Sequence, residues 1–349
     1  MKPKLVVNSF LKKENKKGAQ MIPLLLLCVL GSTFISLWTL FLHDNEERVS
    51  VKTGLLLSLY GGVFFTCLYS LINNVVQRTN VGYKFAKKYK LSPSDVLDTS
   101  NKIVSAVQAL LSCATGVTIV CYSCPRNLLK TSHFISEGYA WFGASYFLYD
   151  IWSMYQVHCH ANLYSGVGPQ QNGDLKRRKI EVNNRFTTYV RNNPIIVGHH
   201  LFIGLFGFSV IVYLRGGLGD CVFGYVYLME ASTPFVSLRG ILSRLGLKES
   251  KFYVVNGLLM LLVFFLCRIV MFPYVMYLYS LASGLDYLSA IASLPRGCKI
   301  TMSILVLPQA YWFYLMIRGA SKVLNPKSTG TSTISNRKKK NSLVSCANS

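Results

Sequence analysis

Apolar residues gather in runs along this chain, and eight of the runs reach the length of about 20 residues that an α-helix needs to cross a bilayer. Residues 21–42, 53–77, 103–125 and 300–317 contain no Asp, Glu, Lys or Arg. The other four runs carry polar inserts: Asp150 in 138–157, His199 and His200 in 194–214, Asp220 and Glu230 in 218–236, and Arg268 in 252–280. The pattern predicts an all-α fold, a polytopic membrane bundle of about eight helices. Three regions follow from it: residues 1–53, basic and carrying one extra membrane helix; residues 54–325, the main membrane domain; and residues 326–349, a basic, Ser/Thr-rich cytosolic tail too poor in apolar residues to pack and so expected to be disordered. The first run looks like a signal-peptide core. Its apolar residues continue through Trp38 to Leu42, however, with no small-residue cleavage site before Asp44, so it reads as a retained span.

Composition sharpens this picture. Of 349 residues, 51% are hydrophobic and 15% charged, and the mean hydropathy is +0.35, against about 25% charged in a soluble domain. A net charge of +23 would fit a nucleic-acid surface in a soluble protein. Here Lys and Arg collect instead in alternate loops, 29 on one side and seven on the other, with Arg268 in mid-span. Basic loops face the anionic cytosolic leaflet, which puts both termini in the cytosol and leaves no nucleic-acid partner. The ten cysteines scatter mostly through apolar runs, where thiols behave as small hydrophobes, so neither a disulfide framework nor a zinc ribbon is expected.

Chemistry is expected at the polar inserts, since an ionisable group costs at least a few kcal/mol to desolvate in a bilayer and turns to a bundle interior or a wet cavity. Counted from the basic loop between 138–157 and 194–214, Asp150, His199 and His200 all lie about 10 Å below the cytosolic surface, at about 1.5 Å of rise per residue. Glu230, near the cytosolic end of its helix, falls at a similar depth. Two readings of this layer are open. In one, an imidazole is general base or nucleophile and Asp150 or Glu230 supports its charged form; neighbours on a helix point about 100° apart, so one histidine acts while the other orients. In the other, the same groups are hydrogen-bond partners that fix helix packing. Arg268 reads either as a substrate-binding cation or as the ion-pair partner of Glu230 or Asp150.

The remaining motifs add little. His158-Cys159-His160 sits at a helix end without matching ligands, so no metal site is expected, and six histidines are too few for a membrane di-iron centre. Cys121-Tyr122-Ser123-Cys124 has CxxC spacing but no thioredoxin-type strand and helix around it, so no redox role is expected. Arg215-Gly216-Gly217-Leu218-Gly219 reads as a tight turn on the side away from the basic loops.

Tyr146-Phe147-Leu148-Tyr149-Asp150, His199-His200 and Glu230-Ala231-Ser232-Thr233-Pro234-Phe235, together with Val255-Asn256-Gly257, Cys267-Arg268, Phe272-Pro273 and Pro308-Gln309-Ala310-Tyr311-Trp312-Phe313, form a set that resembles the TLC-domain family over about residues 54–325, most of all its ceramide-synthase-like proteins of subgroup three. The resemblance implies transfer of a fatty acyl group to a sphingoid base, with acyl-CoA as co-substrate and no cofactor. It implies an endoplasmic reticulum membrane, with Golgi or plasma membrane as alternatives. Membrane lipids are the implied partners, and homo- or hetero-oligomers with other TLC-domain proteins are allowed. His199 and His200 take the place of the family's His-His pair. Its downstream His-Asp pair and further Asp give way here to Met229-Glu230 and Ser232-Thr233. Catalysis would fall to His199, His200, Asp150 and Glu230, and substrate binding to Arg268 and to Lys176, Arg177, Arg178 and Lys179, whose loop would dock the CoA. The alternative is a non-catalytic lipid-sensing or lipid-homeostasis protein whose cavity holds a lipid. A transporter draws no support from repeats or broken helix pairs.

The partition of basic residues makes a topological prediction. Epitope tags at either terminus should be reached by antibody after permeabilisation of the plasma membrane alone. Protection of the N-terminal tag with exposure of the C-terminal one would remove the first span.

Overall fold

The computed structural model describes residues 3–42, 44, 48–165 and 186–324, with side chains over 20–42, 44, 48–161 and 186–321. The basic loop with Lys176, Arg177, Arg178 and Lys179 and the tail 326–349 lie outside the described residues. The helices are α1 (Pro3–Phe41), α2 (Val51–Arg78), α3 (Asn80–Lys88), α4 (Pro93–Ser123), α5 (Phe134–Ser165), α6 (186–192), α7 (Pro194–Leu201), α8 (Asp220–Leu228), α9 (Thr233–Arg244), α10 (Lys251–Phe264), α11 (Met271–Ser283), α12 (Tyr287–Ser293) and α13 (Arg296–Leu324). Two π-helical segments, Phe202–Gly207 and Val210–Leu214, continue α7; a 3-10 turn, Met229–Ser232, joins α8 to α9; a third π segment, Phe265–Val270, joins α10 to α11. Among the described residues there is no strand, and the fold is the expected all-α bundle.

Among the described residues, seven helical stretches are long and apolar enough to cross a membrane: Gln20–Phe41, Val51–Arg78, Pro93–Ser123, Pro194–Leu214, Asp220–Arg244, Lys251–Ser283 and Arg296–Ser321. The eighth expected span, 138–157, is helical inside the 32-residue α5 but falls short of the others in hydropathy. Its surroundings explain why. α2 and α4 pack along α5, so its surface carries buried Tyr139, Trp141, Tyr146, Tyr149 and Ser153 where a lipid-facing helix would carry aliphatic side chains.

The chain divides into two compact units, Met1–Tyr253 and Val254–Ser349. In the first, the core is aromatic. Phe65 is fully buried, and its ring lies 5.1–6.3 Å from those of Phe64, Phe142, Tyr146 and Tyr149, spacings at which edge and offset contacts are favourable. Small residues let the backbones close. A Cβ on Gly61 would come within 2.2 Å of the Phe142 carbonyl oxygen, joining α2 to α5. On α4 and α8, Gly116 and Gly224 face one another, and a Cβ on Gly116 would meet the Gly224 carbonyl at 2.7 Å, the close approach that small residues permit between membrane helices. In the second unit, α12 packs on α11, and α13 meets the Phe265–Val270 segment.

One covalent tie corrects the sequence reading. Cys124 and Cys221, 97 residues apart, form a disulfide with Cα atoms 4.9 Å apart, so the CxxC pair splits: Cys124 is bonded across to α8, and Cys121 remains a free, exposed thiol. Spacing along the chain carries no signal for a partner this distant. The disulfide lies at the α4 and α8 ends remote from the basic loops. Beside it, buried Asp220 pairs with Arg215 and accepts the His133 N–H, and buried Glu137 accepts from Arg48 Nε at 3.0 Å and the Val49 N–H at 3.1 Å. The turn expected at Arg215–Gly219 is present, with Gly216, Gly217 and Gly219 at φ of +66°, +75° and +74°, left-handed values that favour glycine.

Non-reducing peptide mapping should recover Cys124 linked to Cys221. The double variant Cys124→Ser/Cys221→Ser should lose about 2–4 kcal/mol, the usual worth of a native disulfide, read as a fall in melting temperature in detergent. Alkylation of both thiols in unreduced wild type would exclude the bond.

Candidate functional site

A buried polar contact inside the first unit is built from α4, α5 and α7. Asp150 on α5 is 4% exposed, and its Oδ2 lies 3.0 Å from His200 Nδ1 on α7. The contact is at ion-pair distance without the alignment of a full hydrogen bond. The other carboxylate oxygen, Oδ1, accepts from Asn101 Nδ2 on α4 at 2.9 Å. Asn101 is itself fixed: its Oδ1 accepts from Tyr149 OH at 3.1 Å and from Ser153 Oγ at 2.6 Å. Two hydroxyl donors on one amide oxygen leave the NH₂ group as the donor to Asp150. The carboxylate is therefore clamped between a neutral donor and an imidazole.

Local sequence brings these groups together. Pro194 starts α7, so the histidines fall about one and a half turns into it. Just beyond, a Cβ on Gly204 would approach Phe147 Cβ at 2.9 Å; glycine there lets α7 and α5 close to the separation that the Asp150–His200 contact needs. The Phe202–Gly207 π segment follows directly on the His pair, and π turns within α-helices are rare and frequent at functional sites. The Phe147 ring stands edge-on to His200 at 6.0 Å. From α6, Tyr189 turns its buried ring toward the same place, where burial first and then the Asp150 charge push its phenol up to about 12.

The predicted residues are only partly assembled. Asp150 and His200 meet, and the His199 ring lies 5.9 Å from that of His200, about 100° around the helix axis from it. Glu230 sits in the 3-10 turn, where its Oε2 accepts from Thr233 Oγ1 at 2.6 Å; Tyr146 on α5 lies within electrostatic reach of both Glu230 and Asp150. Arg268 belongs to the second unit, buried in the Phe265–Val270 segment, and donates to Gln309 Oε1 at 3.1 Å with its guanidinium 5.3 Å from the Phe264 ring centre. Of the two readings of Arg268, neither is decided by this hydrogen bond to an amide within its own unit. His160 Nδ1 lies 2.9 Å from the Gln156 carbonyl, and the His158 ring stands 5.4 Å from Tyr189. Among the described residues, no three His, Cys, Asp or Glu side chains group as metal ligands.

Asn101 and Ser153 escaped the sequence reading because neither is ionisable, and Tyr149 entered it only within the motif that ends at Asp150. A signal was present. Asn101, Gln108, Ser112 and Thr115 recur at helical spacing, and all are buried; a polar stripe on an otherwise apolar helix marks the face turned to other helices. Gln108 Nε2 bonds Tyr139 OH at 3.2 Å and Ser112 Oγ the Tyr227 carbonyl at 3.1 Å.

An imidazole whose Nδ1 faces a carboxylate presents Nε2 as its free basic nitrogen. That arrangement suits removal and return of a proton at a substrate, with Asp150 holding the ring and stabilising its charged form. Replacing Asn101 by Leu should leave the Asp150 oxygen without its donor at a cost of about 1–3 kcal/mol, seen as a lower melting temperature in detergent; an unchanged value would mean that the clamp does not form.

Comparison with known proteins gives a family. A profile of the TLC domain matches residues 98–318, from just before Asn101 to beyond Gln309. TLC domain-containing protein 4 A of Dictyostelium discoideum is 25% identical over 287 residues, covering 80% of this chain and 93% of that protein. TLC domain-containing protein 4 of Homo sapiens is 30% identical over 153 residues, 42% of this chain and 56% of its own length. TLC domain-containing protein 4-A of Xenopus laevis is 29% identical over 143 residues, 40% and 54% respectively, so the alignments to these two vertebrate relatives span about half of their length. These names specify a domain and no reaction.

Proposed function

We propose that this chain, which belongs to the TLC-domain family, is a membrane-embedded N-acyltransferase of the ceramide-synthase type, moving a fatty acyl group from acyl-CoA to the amine of a sphingoid base. The observation that carries the reading is the buried Asp150–His200 pair with its Asn101 clamp. Acyl-CoA cannot cross a bilayer, so its polar end docks on the basic loops, Lys176 to Lys179 being the densest, and its acyl chain lies between helices. The sphingoid amine attacks the thioester carbonyl while His200 takes the proton that leaves nitrogen. The C–N bond forms, the C–S bond breaks, and the imidazolium returns the proton to the departing thiolate. Asp150 supports the imidazolium throughout. His199 faces the substrate from the adjacent direction, and Glu230, tied to Thr233, stands in for the family's missing downstream acids.

The location proposed is the endoplasmic reticulum membrane with both termini in the cytosol. Supporting it are the 29 to seven partition of Lys and Arg and the disulfide at the helix ends remote from the basic loops, since disulfides persist on the oxidising side of a membrane.

The test is direct. Purified protein given a long-chain acyl-CoA and a sphingoid base should form N-acylated product. His200→Ala and Asp150→Asn should each lower the rate per folded molecule about 10²- to 10⁴-fold, the usual contribution of a general base. Glu230→Gln should lower it less. If wild type yields no product across acyl lengths where an established ceramide synthase is active, the lipid-holding alternative takes its place.

A further inference from the structure

We propose that the α2–α3–α4 corner on the basic-loop side holds one anionic phospholipid, in a site separate from the Asp150–His200 pair and independent of the acyl-transfer reading. A cavity of about 510 Å³ opens there, within the range of about 300–1,000 Å³ that small-ligand sites occupy. Val76, Ala86, Leu91 and Val96 form an apolar wall, and the exposed Lys87 and Lys90 bring two ammonium groups to it. An apolar wall with cations beside it matches an amphiphile that carries negative charge at one end. The volume suits a headgroup with the start of an acyl chain, the remainder lying along the protein surface in the bilayer.

α3 is constructed for such a boundary. Its Gly82 face lies so close on the end of α2 that a Cβ would fall 2.2 Å from the Val75 carbonyl oxygen. Lys84, Lys87 and Lys88 stand on the opposite side, while Val81 and Tyr83 remain 80% and 61% exposed. Exposed apolar side chains flanking lysines on a short helix between two membrane spans place it in the plane of the interface. Thr79 fixes its start by accepting the Gly82 N–H at 3.0 Å.

The charge has no internal answer. Among the described residues, none of Lys84, Lys87, Lys88 and Lys90 forms an ion pair, and residues 78–91 contain no Asp or Glu. Lys90 has φ of +51°, the one non-glycine residue among those described in the left-handed region. It closes α3 in a turn where Leu91 N–H reaches the Ala86 carbonyl at 2.9 Å, at a position that glycine ordinarily fills. The strained lysine is what supplies the second cation to the cavity.

Native mass spectrometry of the full-length protein, equilibrated in detergent with equal amounts of phosphatidylserine and phosphatidylcholine, tests the site. One phosphatidylserine should be retained in preference. Lys87→Gln/Lys90→Gln should weaken that retention about 10- to 30-fold, as expected for two juxtamembrane lysines, with the melting temperature held. Lys130→Gln/Lys299→Gln, equal in charge change but on the other side, should have no effect. Ala86→Trp, which narrows the cavity and keeps both lysines, should also lower retention. Equal retention of the two lipids by wild type, retention unchanged in Lys87→Gln/Lys90→Gln or in Ala86→Trp, or displacement of phosphatidylserine by stoichiometric long-chain acyl-CoA would each overturn the proposal.

Discussion

A carboxylate carried into a helical membrane bundle must find its donors on other helices, because no bulk water competes for it. Asp150 takes one from α4 and an imidazole from α7, and so fixes the register of both against α5. Removing one partner of a buried charge costs about 3–5 kcal/mol, far more than the net worth of a single packed methylene, about 0.8 kcal/mol. Side-chain volumes adjust around that constraint. Gly204 is small where α7 must approach Phe147, and Tyr149 and Ser153, buried themselves, spend their hydroxyls on Asn101. A helix with so many hydroxyl and aromatic groups would be poor against lipid. α5 carries them because α2 and α4 cover it.

The same rule operates at the opposite end of the first unit with a different purpose. Glu137 and Asp220 are buried beside the ends of α5 and α8, and Arg48 and Arg215 answer them. Tyr227 donates to the Ser136 carbonyl at 2.8 Å, and the Cys124–Cys221 bond ties α4 to α8 beyond it. Each of those acids is answered by an arginine and a backbone N–H, and the His133 imidazole nearby takes the Ile135 N–H on its Nδ1, an arrangement that holds helix ends. At the Asp150 end the carboxylate faces the imidazole itself. The contrast between a saturated polar layer and one that ends in an imidazole separates structural from chemical use of buried charge.

Much of this was legible in the chain. Runs of apolar residues placed seven of the eight expected membrane spans. Depth counted at 1.5 Å per residue put Asp150 and His200 in one layer, because rise along a helix is a fixed length. What depth cannot give is direction around the helix axis or which helices are neighbours. Glu230 accepts from Thr233 within its own turn, and Arg268 donates to Gln309 because α13 packs on its segment. The disulfide was illegible for the same reason: Cys124 and Cys221 meet only once α4 and α8 pack through Gly116 and Gly224. Asn101 was missed through a bias toward ionisable residues, although its stripe was present.

These placements bear on what the departure at Met229–Thr233 means. If the chemistry of the family needed acids over Met229–Thr233, their replacement would leave only Glu230 there to serve the His pair. Here the imidazole nearest a carboxylate is His200, and the carboxylate is Asp150, contributed by α5 and clamped by α4. Neither helix includes the altered segment. Glu230 lies in a 3-10 turn where the backbone tightens and its side chain closes on the hydroxyl three residues ahead, a local bond that any acid at that position can make. The departure therefore leaves untouched the contact between Asp150 and His200, which α5 and α7 build with Asn101 of α4 behind it.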